Sequence, residues 1–159
     1  SRKQQSYRSL TLSGTGAAPG PAIPGAVILL ARLLSAVAPR LSLPSGVDPA
    51  FISHDPQSVD AYVNDPLVQS KVTARRACEM MQALPGMITA AQRLTVPTMM
   101  QIGDEDESFH PDSWNTLFEG IAAKPKAFKK YDGCRHEIYN EIKKELPLAD
   151  LRDWLNDHN

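Results

Sequence analysis

Val96-Pro97-Thr98-Met99-Met100-Gln101-Ile102-Gly103-Asp104-Glu105-Asp106 runs from an apolar segment through a glycine into consecutive acids. Thr95 to Ile102 is short, apolar and bounded by Gly103, the pattern of a strand buried on both faces. Downstream, Pro111 begins a helix carrying Trp114, Leu117, Phe118 and Ile121. Ala127 to Tyr131 alternates weakly and reads as another strand. Pro147 then opens a last helix with Leu148, Leu151, Trp154 and Leu155 on one face. Strand, helix, strand, helix implies an α/β fold, a parallel sheet with covering helices. Upstream, residues 7–13 alternate apolar and polar side chains until Gly14 and Gly16 end the run, so a further strand of the same sheet is expected there.

Between these strands lies a long excursion. The connector from Ala17 to Gly25 is rich in proline and glycine. The apolar run from Ile23 to Val37 contains Val27, Ile28, Leu30, Leu33, Leu34 and Val37 at helical spacing, and Pro39 stops it. Leu29 widens the apolar face beyond an ordinary stripe. Either this helix is buried in a core, or it lines an oily cavity or touches lipid. Asp48-Pro49, Asp55-Pro56 and Asp65-Pro66 each look like a helix N-cap with proline at the first helical position, so three short helices are expected. A longer helix is expected over Lys71–Ala83, broken at Leu84-Pro85-Gly86, with another helical piece over Met87–Arg93.

At 159 residues the chain is one domain's worth and is long enough to bury a core without disulfide staples. Lys+Arg of 17 against Asp+Glu of 18 leaves a net charge of -1, which argues against a nucleic-acid surface. Two cysteines, Cys78 and Cys134, make neither a disulfide framework nor a four-thiolate metal site. No run reaches the roughly 20 apolar residues of a membrane span.

Chemistry concentrates where two strands end. The first segment is Gly103-Asp104-Glu105-Asp106-Glu107-Ser108-Phe109-His110-Pro111. As a calcium loop counted from Asp104 it fails, with Phe109 where glycine is needed and Asn115 where a bidentate glutamate is needed. The second is Tyr131-Asp132-Gly133-Cys134-Arg135-His136-Glu137, a histidine in a tight loop after a strand. A neutral histidine is the natural general base near pH 7, and a carboxylate on its second nitrogen fixes the tautomer.

On these two motifs the chain resembles the C-terminal part of a serine α/β-hydrolase, in the monoacylglycerol lipase and lysophospholipase branch. That family has a strand followed by Gly-x-x-Asp, here Gly103 to Asp106, and about thirty residues on a strand ending in Tyr-x-Gly-x-x-His-Glu, here Tyr131 to Glu137. The order acid then histidine also fits. Leu10-Thr11-Leu12-Ser13-Gly14-Thr15-Gly16 looks like the strand after the nucleophile helix. Ser53-His54-Asp55-Pro56 and Asn64-Asp65-Pro66-Leu67-Val68 look like parts of the family's helical cap.

The resemblance implies residues 1–19 as a sheet strand and connector, 20–93 as a cap or lid, and 94–159 as core. It implies Asp106 as triad acid and His136 as base, with Asp104 and Glu105 as supporting or solvated acids. It implies a single-chain acyl ester as substrate, with Ile28, Leu29, Leu33, Met80, Met81 and Met87 lining an acyl channel. No metal or organic cofactor is needed. A peptidase, dehalogenase or epoxide hydrolase, or a non-catalytic interaction module, stays open beside this reading. The chain contains no Gly-x-Ser-x-Gly, and Cys134 is the conceivable substitute nucleophile, though only two residues from His136. A half-molecule that is inactive alone is therefore expected, completed by an N-terminal half of the same protein or a second copy. A cytoplasmic place is expected, with peripheral membrane contact through the cap.

Overall fold

A computed structural model describes residues 4–20 and 25–158. Its central sheet has three parallel strands in the order β1 (Leu10–Ser13), β4 (Thr98–Gly103), β5 (Lys126–Tyr131). All six residues of β4 are buried, because both faces are covered. Met100 and Ile102 pack with Trp114, Leu117 and Ile121 of and beside α4 (Pro111–Gly120). Between them in the strand, Gln101 turns to the other face. A buried amide needs partners, and Gln101 donates to the Tyr131 hydroxyl and, at 3.0 Å, to the Pro147 carbonyl. The Tyr131 hydroxyl in turn donates to Asp150 at 2.9 Å. These bonds fasten α5 (Glu145–Asp157) to the sheet. On its outer edge β1 has no strand partner among the described residues.

The excursion holds α1 (Gly25–Val37), β2 (Ser42–Pro44), α2 (Pro56–Asn64), β3 (Lys71–Thr73) and α3 (Ala74–Ala91). Two of the three Asp-Pro starts are helix caps. Asp48 accepts from Ala50 N at 2.9 Å ahead of a short 3-10 turn, and Asp55 accepts from Gln57 N at 3.0 Å ahead of α2. The third is not. Asp65 closes α2 and accepts from Leu67 N at 2.8 Å, a tight turn of the kind aspartate also makes. Lys71–Thr73, expected to be helical, instead forms a strand antiparallel to β2.

The expected break at Leu84-Pro85-Gly86 is also absent, since α3 runs through Pro85. Proline removes one helical hydrogen bond and glycine is a poor helix former, but both sit on the exposed side. Packing holds the helix on either side of them. Ala74 and Cys78 are buried toward the N-terminus, while Met87, Ile88 and Ala91 join the cluster around α4.

The apolar helix α1 packs on α3, and its buried residues are the small Ala31 and Ser35. Its large side chains face outward: Leu29 is 58% exposed, Leu33 59% and Val37 80%. The reading of α1 as a helix enclosed in a core is thereby corrected for this chain. Ile23, where the apolar run starts, lies outside the described residues. Among those residues, no helix is long and apolar enough to cross a membrane.

Candidate active site

The parallel sheet delivers the two strand-end loops to the same edge, since Gly103 of β4 lies in register with Tyr131 of β5. Asp104 N donates to the Tyr131 carbonyl at 3.1 Å, and Glu105 N to the Cys134 carbonyl at 3.0 Å. Gly103 is required by this closeness. A Cβ there would stand 2.1 Å from the Cys134 carbonyl oxygen and 2.3 Å from that of Arg135. Neither is a flexible side chain that can swing aside. Gly103→Ala is expected to cost about 1–3 kcal/mol through overpacking and to displace the histidine loop. A melting curve and a turnover assay on the same variant check both.

Asp106 and His136 meet across the two loops. His136 Nδ1 lies 2.9 Å from Asp106 Oδ2. The Asp106 side chain is fully buried, and its Oδ1 accepts from Ser108 N at 2.8 Å. The His136 side chain is 33% exposed, and its Nε2 has no hydrogen-bond partner among the described residues. With the proton on Nδ1 donated to Asp106, Nε2 keeps its lone pair for an incoming proton.

The electrostatics agree with that division. Burial works to raise the Asp106 carboxyl, but the His136 hydrogen bond and charge and the Ser108 amide outweigh it and hold it below its ordinary value. The Asp106 hydrogen bond raises His136 above its ordinary value, against the opposing effect of burial. Asp106 therefore contributes stability above 3.8 that is lost as pH falls through its lowered value. His136 contributes stability below 6.5 that is lost as pH rises through its raised value.

Two features of the site carry little signal in the sequence. Gly14 has a φ of 54°, and a Cβ on it would meet the His136 ring at 3.0 Å, so the end of β1 forms a floor under the imidazole. Phe109 has its ring centroid 6.2 Å from that of His136. A glycine after a strand is the only local signal for the first, and it does not say what lies above it.

The remaining acids have separate partners. Asp104 accepts from Gly133 N at 2.8 Å, and Glu105 lies 3.2 Å from His54 Nε2. A cavity of about 280 Å³ opens beside the pair, lined by Phe51, Asp106, Phe109 and Arg135 among others. None of the six expected channel residues lines it. Leu29, Leu33 and Met80 are exposed, Ile28 and Met81 are half-buried, and half-buried Met87 packs against the core cluster. Cys134 is 1% exposed, and burial pushes its thiol up, which disfavours the thiolate a nucleophile needs.

Comparison with known proteins places this arrangement among hydrolases. The family model Hydrolase_4, described as "Serine aminopeptidase, S33", matches residues 1–143. The monoacylglycerol lipase of Mycolicibacterium smegmatis is 28% identical over 153 residues, covering 96% of this chain and 54% of that protein. The phospholipase YtpA of Bacillus subtilis is 27% identical over 121 residues, covering 76% of this chain and 47% of its own. The crystal structure of Paleococcus ferrophilus monoacylglycerol lipase superposes with a TM-score of 0.88 at 26% identity, over 99% of this chain and 63% of that one. The chain thus spans about half the length of the curated relatives it matches.

Proposed function

The chain belongs to the Hydrolase_4 family, serine aminopeptidase S33, and carries an α/β-hydrolase fold like that of monoacylglycerol lipases; on that premise we propose that it supplies the cap and the acid–histidine half of a serine ester hydrolase. The observation that carries this reading is the 2.9 Å contact between His136 Nδ1 and a fully buried Asp106, with Nε2 turned away from it. That is the geometry of a general base waiting for a hydroxyl.

In the complete site a serine on a Gly-x-Ser-x-Gly turn attacks the ester carbonyl. His136 Nε2 takes the serine proton and returns it to the leaving alcohol. Asp106 holds the imidazole in the correct tautomer and stabilises the imidazolium. Water, deprotonated by the same nitrogen, then attacks the acyl-enzyme carbonyl; the serine–acyl bond breaks, the proton passes from His136 to the serine oxygen, and the fatty acid is freed. The serine comes from the other half of the same protein, a segment that pairs on the outer edge of β1; a second copy of this chain would cover that edge but carries no Gly-x-Ser-x-Gly turn.

The substrate class is a single-chain acyl ester, a monoacylglycerol or lysophospholipid. Two things support it. Proteins similar to this chain are named monoacylglycerol lipase and phospholipase. The outward leucines of α1 offer an apolar face to an acyl chain or a lipid surface, so the cap makes peripheral membrane contact.

The test begins with the protein recovered from its source. Mass analysis under denaturing conditions identifies every polypeptide present, and the same sample is assayed on monoacylglycerol and lysophospholipid. A Gly-x-Ser-x-Gly segment in the sample together with fatty-acid release is expected. A sample that contains such a segment yet releases no fatty acid from either ester overturns the reading.

A further inference from the structure

Glu141 is 1% exposed and follows a short 3-10 turn, Ile138–Asn140. A buried carboxylate is tolerated only when it is well partnered, and this one is held from several directions. Its Oε1 accepts from Arg135 N at 2.8 Å, one residue before the base. The backbone N–H of His54 donates at 3.2 and 3.1 Å to its two oxygens, and Ile142 N donates to Oε2 at 3.2 Å. The imidazole of His54 places Nδ1 3.0 Å from Oε1. Burial tends to raise this carboxyl, but the amides of Arg135 and His54 and the His54 ring more than offset it.

These bonds sit at the centre of a strap. Glu137 N donates to the Ile52 carbonyl at 2.8 Å, and Ser53 Oγ to the Asn140 carbonyl at 2.8 Å. The Arg135 guanidinium reaches the carbonyls of Ala50 and Ser53. The segment 50–54, on the way into α2, therefore lies along the loop 135–141 that carries His136. The backbone on either side of His136 is fixed twice: at Arg135 N by Glu141, and at Glu137 N by the strap.

We propose that Glu141 is a positioning residue for His136: its buried carboxylate clamps the Arg135 amide and the 50–54 strap together, and so holds the imidazole on Asp106. The proposal rests on the reading of His136 as the base and adds what aligns it. A carboxylate can accept from all these donors at once. An amide cannot, because one end of it would face N–H groups with N–H of its own. Misplacement of a reacting group by about 1 Å costs on the order of 10²-fold in rate.

The test reads the imidazole directly, by nitrogen and proton NMR of the chain labelled at histidine. In the parent, His136 is expected to show an Nδ1 proton in a hydrogen bond and to titrate above its ordinary value, because the Asp106 hydrogen bond raises it. Glu141→Gln is expected to weaken or remove that proton signal and to bring the titration back toward 6.5. In the active assembly the same variant is expected to lose on the order of 10²-fold in kcat with KM little changed. His54→Ala, at a half-buried site, withdraws one donor from Glu141 and shifts the titration the same way by less. It also covers the case in which Glu141→Gln does not fold. A folded variant whose His136 signal and titration match the parent overturns the proposal, even if its melting temperature falls. The NMR shift without any ester hydrolysis contradicts the hydrolase reading and leaves the clamp standing. Normal hydrolysis with an unmoved titration does the reverse.

Discussion

His136→Ala is expected to lower kcat/KM for ester hydrolysis by on the order of 10⁶-fold in the active assembly, while the protein stays folded. The loss is large because the imidazole acts in both halves of the reaction. It accepts the serine proton, donates to the leaving alcohol, and later activates water. No neighbour can take over. Cys134 is buried, with a thiol pushed up, and the His54 imidazole lies between Glu105 and Glu141. The fold survives because the His136 side chain is one-third exposed, so removing it opens no sealed core. Steady-state rates beside a circular-dichroism melt check the two statements together. A variant turning over within tenfold of the parent removes His136 from the mechanism.

Asp106→Asn is expected to cost on the order of 10⁴-fold in kcat with the geometry nearly intact. The amide keeps an oxygen for Ser108 N but sets an NH₂ group against His136 Nδ1–H, unless the ring changes tautomer. The tautomer that suits asparagine puts the proton on Nε2, where the lone pair is needed. The pH profile carries a second signature. Asp106 raises His136, and only neutral imidazole accepts a proton, so the acid limb of kcat/KM in the parent lies above 6.5. In Asp106→Asn the charge and its hydrogen bond are gone, and the limb moves to lower pH. A limb that stays in place separates the measured titration from His136.

The parts of this site legible in the sequence are those whose pattern is local. An apolar run as short as Thr98–Ile102, closed by glycine, marks β4 because both faces of that strand are covered. The acid and histidine stand a few residues beyond two parallel strands, so topology alone brings them to one edge. Where the reading failed, one local signal served two structures. Asp-Pro caps a helix at Asp55 and makes a turn at Asp65. Proline and glycine at 85 and 86 predict a break, yet packing at both ends of α3 carries the helix through. For α1 the periodicity marks an apolar face but not what covers it, and here the face used against α3 is the small-residue one. Glu141 was invisible for a similar reason. It sits among Lys143, Lys144 and Glu145, a run that reads as a solvated surface. Its burial comes from a strap 87 residues away in the chain.

The role of His136 as the base for a serine is tested by fluorophosphonate labelling of the active assembly, followed over pH, for the parent and for His136→Ala. One serine in a Gly-x-Ser-x-Gly segment is expected to be labelled, at a rate that falls away on the acid side as His136 becomes protonated, and the alanine variant is expected to lose this labelling. A serine that labels equally fast in both proteins, with the same pH dependence, would contradict it.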